Sequence, residues 1–292
     1  MTEIVECIVD YACHTGENPI WHSDEQVLYW LDIPQGRIFR YDPATDTSEI
    51  YYEGDVIGGM TIQEDGALLL FMAEGRVAML QDGRLTDVIS HLDAETGKRF
   101  NDVIATPTGN VFCGTLSEQG ETGSLYHLDR DGAIRKVIDP VGIANGMGFS
   151  PDYAYFYFTD STPARKIYRY RYNRANEHLS DVHVLVQPLE QYGLPDGMTV
   201  DIAGYLWSAF WDGARVVRYK PSGIIDHEIQ LPTAQQVSSV TFGGPDYTDM
   251  YITTAGGDDK AKNGPDAGAL FRCRLEGVQG RPEHRSKIGI PS

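Results

Sequence analysis

Leu28-Tyr29-Trp30-Leu31-Asp32 decides the fold, because the chain keeps returning to it. The same kind of apolar and aromatic run comes back as Leu69-Leu70-Phe71-Met72, Val111-Phe112-Cys113-Gly114-Thr115 and Phe156-Tyr157-Phe158-Thr159-Asp160. It comes back twice more, as Leu206-Trp207-Ser208-Ala209-Phe210 and Met250-Tyr251-Ile252-Thr253-Thr254. The starts are 41, 42, 45, 50 and 44 residues apart, the spacing of four-stranded propeller blades. A polar turn and a second alternating run follow, as in Arg37-Ile38-Phe39-Arg40-Tyr41 and Arg215-Val216-Val217-Arg218-Tyr219, with the period of two that marks strands. The expectation is an all-β, six-bladed β-propeller with the six runs as its inner strands and a metal site at its centre. The strand-like segment Ile4-Val5-Glu6-Cys7-Ile8-Val9 is expected to complete the last blade, which closes the ring and covers two sheet edges at once.

Composition agrees with this reading and removes others. The repeat runs unbroken through most of the 292 residues, so 1–292 is expected to be a single domain. Turn pairs such as Asp65-Gly66, Asp82-Gly83 and Asp131-Gly132 recur, as many short strands joined by tight hairpins require. With 42 acidic against 24 basic residues the net charge is −18, which repels nucleic acid and anionic lipid and favours cation capture. No run of 18 apolar residues is present, and the opening Met1-Thr2-Glu3-Ile4-Val5-Glu6 is acidic rather than signal-like; a cytoplasmic location is expected. The four cysteines, Cys7, Cys13, Cys113 and Cys273, lack CxxC spacing, so neither a thiolate zinc site nor an activated nucleophile is supported. No Gly-rich phosphate loop precedes a helix, and no Gly-x-Ser-x-Gly elbow exists. The expected partner is a small molecule, and the expected state a monomer or weak homo-oligomer.

The phase of the repeat carries the functional signal. Ten or eleven positions ahead of the six runs stand Glu17, Gly58 or Gly59, Asn101, Asn145, Asp196 and Ser239. Equivalent blade positions converge on the propeller axis, so oxygen-bearing side chains from several blades are expected to meet there. Taken singly, Asn145-Gly146 and Asp196-Gly197 are ordinary turn signals and Glu17 a surface carboxylate; a shared register is not what turns alone would produce. Carboxylate and amide oxygens are hard ligands suited to calcium, magnesium or manganese. Arg99 lies two residues from Asn101, so in an extended segment both side chains point one way. Arg99 then either faces the channel or pairs at the rim with Asp102 or Glu95. Glu118, in the loop after the third run, either reaches over the pocket mouth or is an exposed carboxylate. His14 and His22 flank Glu17 but are out of phase with the other candidates, and are read as surface or packing residues.

Five segments in order resemble the SMP-30/gluconolactonase/regucalcin-like family over essentially the whole chain. They are Gly16-Glu17-Asn18-Pro19-Ile20-Trp21, Arg99-Phe100-Asn101-Asp102, Asn145-Gly146, Pro195-Asp196-Gly197, and Gly243-Gly244-Pro245-Asp246 with the run from Met250. The resemblance implies a six-bladed propeller that hydrolyses a sugar lactone, with one divalent ion (Ca, Mn, Mg, Zn or Fe(II)) in the channel. It assigns metal ligation to Glu17, Asn145 and Asp196 and substrate contact to Arg99, Asn101 and Glu118; Asp196 is then either the general base as well or a ligand only, with the metal activating its own water. Aldonolactones such as xylono-, arabino- or gluconolactone are the implied substrates. Phosphotriester or fluorophosphate hydrolysis on the same scaffold and a non-enzymatic calcium-binding propeller are the alternatives. Asn18 and Phe100 depart from the commoner pattern, and Phe100 is expected to shape the pocket wall.

Overall fold

A computed structural model describes residues 4–117, 119–120 and 122–290. The first blade is β2 (Gly16–His22), β3 (Val27–Asp32), β4 (Arg37–Asp42) and β5 (Thr47–Glu53). The second is β6 (Ile57–Ile62), β7 (Leu68–Met72), β8 (Val77–Gln81) and β9 (Arg84–Ile89), and the third β10 (Arg99–Ala105), β11 (Val111–Leu116), β12 (Gly123–Leu128) and β13 (Ile134–Val141). The fourth is β14 (Ala144–Phe149), β15 (Tyr155–Asp160), β16 (Lys166–Asn173) and β17 (His178–Val186). The fifth is β18 (Leu194–Val200), β19 (Leu206–Trp211), β20 (Arg215–Tyr219) and β21 (Ile225–Gln230). The sixth combines β22 (Gln236–Gly243), β23 (Asp249–Ala255) and β24 (Ala269–Arg274) with β1 (Ile4–Asp10), which pairs antiparallel with β24 and closes the ring. Among the described residues no helix is long and apolar enough to cross a membrane.

The six apolar runs are not the innermost strands. They form β3, β7, β11, β15, β19 and β23, each the second strand of its blade. The innermost strands are β2, β6, β10, β14, β18 and β22, the ones that carry the in-phase residues themselves, and these pack against one another around the axis. The reason is steric. Six strands converging on one line leave little room for bulky side chains, so small and polar residues occupy that ring. The large apolar side chains belong one strand further out, where neighbouring sheets diverge. There they fill six separate cores, one between each pair of adjacent blades. Phe112, Phe149, Phe156 and Tyr172 fill the gap between blades three and four. Trp21, Trp30, Phe39 and Tyr251 fill the gap between blades six and one.

Polar ties reinforce the cores. Glu177, in the turn after β16, reaches back into blade three and meets His127 Nε2 at 2.5 Å, Asn110 Nδ2 at 2.8 Å and the Thr108 hydroxyl at 2.5 Å. Burial works against its charge, but hydrogen bonds from His127, Thr106, Thr108 and Asn110 outweigh it and hold the carboxyl at about 2.

The segment after β24 is a strap across the face of the ring opposite the candidate site, and it touches every blade. Gly280 N donates to Tyr247 O, Ile202 N to Gln279 O, and Arg281 to Phe149 O. Lys287 N donates to Gly109 O, and Arg285 reaches Ser23 and Asp24. The Gln63 amide brackets Ile288, donating to its carbonyl at 2.8 Å and accepting from its N–H at 3.2 Å. Ile288 itself is buried in the core between blades two and three. Ile288→Ala is therefore expected to cost about 2–5 kcal/mol of unfolding free energy, as a buried isoleucine truncation does. Chemical denaturation checks this, and a loss below about 0.5 kcal/mol, the level of an ordinary surface change, would mean that the strap is a dispensable tail.

Candidate active site

At the in-phase position of all six innermost strands the pairing with the second strand slips. The slips fall between Glu17 and Ile20, Ile57 and Gly59, and Phe100 and Val103. They recur between Asn145 and Met147, Pro195 and Met198, and Val237 and Ser239. A bulge frees a residue from the ladder and turns its side chain away from the regular alternation. Glu17, Asn101, Asn145 and Asp196 accordingly line one cavity of about 210 Å³, together with Arg99. The glycines that follow two of them are demanded by the neighbouring backbone rather than by a turn. A Cβ on Gly146 would lie 2.4 Å from Asp196 O, and one on Gly197 would lie 2.8 Å from Ser239 Cα.

A hydrogen-bond chain connects the floor of the cavity across three blades. Arg99 donates through Nη1 to Asn101 Oδ1 at 2.8 Å. Asn101 Nδ2 donates to Ala144 O at 2.8 Å and Asn145 Oδ1 at 3.2 Å. Asn145 Nδ2 donates to Ser161 Oγ at 2.9 Å, which donates on to Pro195 O at 2.5 Å. On the other side, Glu17 Oε2 accepts from Asn18 N at 2.7 Å, and Ser239 also hydrogen-bonds this carboxylate. Asn18 takes the left-handed conformation at φ 47° and accepts from Met60 N of the next blade at 2.6 Å. Asparagine tolerates that conformation, which accounts for its place beside Glu17.

The electrostatics of this floor are strained. Burial raises the pKa of Glu17 well above the carboxylate range, with repulsion from Asp102 adding to it. Burial does the same to Asp196, with Glu17 and Asp102 adding. Asp102, one residue past Asn101, is pushed by burial up to about 7. Arg99 opposes all three shifts, but one guanidinium cannot neutralise three carboxylates. The donor set around the cavity, two carboxylates with asparagine amide oxygens, suits a hard divalent cation, which would relieve the repulsion. Among the described residues no three His, Cys, Asp or Glu side chains form a ligand cluster; the converging set is part amide.

Several expectations change at this point. Phe100 does not shape the pocket wall: it is fully buried and packs edge-on against Phe71 in the core between blades two and three. Its neighbours Arg99 and Asn101 face the cavity, and alternation sends the residue between them the other way. Glu95 does not hold Arg99; it is buried and accepts from the Tyr126 hydroxyl. His14 meets Asp258 at 3.1 Å and His22 meets Gly66 O at 3.2 Å, and neither lines the cavity. Glu118 lies outside the described residues. Sequence reasoning passed over Ser161 and Trp211, and took Asp102 only as a rim partner. Ser161 and Trp211 sit at the ends of the fourth and fifth apolar runs, just where those strands reach the cavity, and that position was the available signal.

Residues 15–256 match the family model described as SMP-30/Gluconolactonase/LRE-like region. The chain is similar to pentonolactonase XacC of Haloferax volcanii, at 47% identity over 290 residues, 97% of this chain and 98% of that one. It is 32% identical to a 6-deoxy-6-sulfogluconolactonase of Pseudomonas putida, over 94% of this chain and 96% of the other. Among solved structures, a luciferin-regenerating enzyme superimposes with a TM-score of 0.90 at 26% identity, covering 98% of this chain and 100% of that one.

The raised carboxyls imply a pH dependence of stability for the protein in chelator. A carboxyl whose proton is held more tightly in the folded state favours folding below the unfolded value and loses that contribution as pH rises through the folded one. Chelated protein is expected to lose stability between about pH 4, the unfolded carboxylate value, and about 7, the folded value of Asp102. Asp102→Asn should flatten that slope by a few kcal/mol, at about 1.4 kcal/mol per pKa unit. Urea titrations at pH 5 and pH 8 measure it; parallel curves for the two proteins would show that Asp102 is not held protonated.

Proposed function

The chain belongs to the SMP-30/gluconolactonase/LRE-like family, and from that premise we propose that it opens an aldonolactone to the aldonic acid with one divalent ion held on the propeller axis. It is a lactone hydrolase of the gluconolactonase kind, as its lactonase relatives indicate. The observation that carries the metal and substrate reading is the convergence of Glu17, Asn145 and Asp196 in a cavity they share with Arg99 and Asn101. A five-carbon lactone, xylono- or arabinonolactone, is the first candidate substrate, supported by a relative at 47% identity named a pentonolactonase. Gluconolactone comes next. A passive calcium-binding scaffold would have no use for a guanidinium beside its ligands.

The Glu17 and Asp196 carboxylates and the Asn145 amide oxygen would hold the ion, which when bound supplies Lewis acidity to an ester carbonyl. Arg99 donates to the oxygens of the ring and keeps the carbonyl carbon oriented, and Asn101, whose Oδ1 accepts from Arg99 at 2.8 Å, holds the guanidinium on the cavity side. Water attacks that carbon as its proton passes to an Asp196 carboxylate oxygen. Burial and the Glu17 charge make that carboxylate a better proton acceptor, whereas an adjacent dication makes it a worse one. The ester C–O bond then breaks, and the same proton is available to the departing ring oxygen. The water, the base and the leaving group are thus served by one residue.

Three outcomes are expected. Acid release from a panel of aldonolactones should fall to background in chelator and return on adding back a divalent metal. Glu17→Gln and Asp196→Asn should each reduce turnover by about a hundredfold, the upper end of what is lost when even the partner of a metal ligand is removed. Full metal-dependent activity in either variant would mean that the ion sits elsewhere. Arg99→Ala is different: it should retain metal affinity yet lose about ten- to hundredfold in kcat/KM, the worth of a hydrogen bond from a charged donor. Parallel metal-binding and rate measurements separate the two roles, and a lost metal in Arg99→Ala would make the arginine part of the ligand scaffold.

A further inference from the structure

We infer that Trp211 is the platform on which the apolar face of the sugar ring rests, and so a residue that selects cyclic sugar substrates; this rests on the lactonase reading above. The chain has four tryptophans. Trp21, Trp30 and Trp207 are at most 2% exposed, and each packs its ring on another aromatic, Tyr251, Phe39 and Phe242 respectively. Trp211 is half-buried, and among the described residues it has no ring partner, no cation stacked on it and no hydrogen bond from its indole N–H. It is also the one aromatic residue among the described residues that line the axial cavity. The ring stands in the wall of the cavity without an aromatic partner, so a face of it is available to whatever fills the cavity.

The backbone that carries the indole is held in place. Trp211 ends β19 opposite Leu194, two residues before Asp196 on the adjoining strand. The turn that follows is pinned from the sixth blade, where the Gln235 amide donates to Asp212 O at 2.8 Å and Gln236 donates to Asp212 Oδ1 at 3.2 Å. On the other side Gly193 passes so close that a Cβ there would lie 2.3 Å from Trp211 O. The backbone under the ring therefore cannot shift freely, and the wall is preformed rather than assembled on binding.

The chemistry on the two sides of the cavity is complementary to one kind of molecule. A sugar lactone carries its hydroxyls and carbonyl around the ring edge and C–H groups on its faces. Arg99 can read the edge, while the indole offers a flat, polarisable surface to a face. Ile33, Leu116, Ile143 and Leu194 extend the apolar wall around it, in the usual pattern of a small-molecule site with few polar contacts. An open-chain ester has no such face and gains nothing from the indole.

The test uses the full-length metal-loaded protein and its Trp211→Ala and Trp211→Phe variants. Trp211→Ala is expected to raise KM for the best aldonolactone about tenfold with kcat within about threefold, and Trp211→Phe to restore KM to within about threefold, as loss and partial rescue of ring contact predict. D-Xylose, which has the ring but no ester, should shield wild-type tryptophan fluorescence from acrylamide, and this effect should vanish in Trp211→Phe, because the other three tryptophans are buried. Unchanged KM in Trp211→Ala, or no xylose effect on the wild type, would overturn the assignment. A wild type that hydrolyses no aldonolactone but still shows the xylose effect would defeat the lactonase reading and leave Trp211 as a sugar platform.

Discussion

Six strands can meet around one axis only if their inner surfaces are small, and the remaining architecture follows from that crowding. Gly146 and Gly197 sit where the neighbouring strand leaves no space for a Cβ. The large apolar runs are displaced one strand outward, into the widening gaps between blades, where they build six inter-blade cores instead of one. The carboxyls placed there are buried, so each is paired, strained or waiting for a ligand.

The bulges turn this crowding into a site. A regular strand alternates its side chains between its two flanking cores, and neither of those directions is the axis. A slip in register at the same level of all six innermost strands breaks the alternation once per blade and lets Glu17, Asn101, Asn145 and Asp196 meet. The cost is concentrated charge: three buried carboxyls for one arginine. That imbalance is tolerable because the frame around it is tied elsewhere. The strap bonds to all six blades on the opposite face, and the Glu177 network joins blades three and four. Other cations form exposed pairs, such as Arg37 with Glu53 and Lys287 with Glu64, where screening makes each worth little.

The repeat was legible before any coordinates, because aromatic runs about forty residues apart report blade spacing directly. The closing role of the Ile4–Asp10 strand followed from the need to cover two sheet edges, and β1 does pair with β24. The register of Glu17, Asn101, Asn145 and Asp196 was legible too, as a shared phase ahead of each run. Which strand is innermost was misread, since hydrophobicity was taken as the mark of the centre when the centre of a propeller is the place that cannot hold large side chains. Phe100 was misplaced for a related reason: two residues pointing into the cavity send the one between them into a core.

The amino-acid sequence by itself determined the periodicity, the all-β class and the set of polar residues in one register, because these are properties of spacing along the chain. The tertiary structure alone decided what surrounds those residues. Ser161 and Trp211 come to the cavity from the ends of outer strands, Asn18 reaches the next blade, and the residues after β24 cross the ring to every blade. These neighbours are brought together by blade packing and ring closure, and the strap contacts join segments more than a hundred residues apart. No local pattern encodes such a contact, because its physical cause is the close packing of six separate blades about one line.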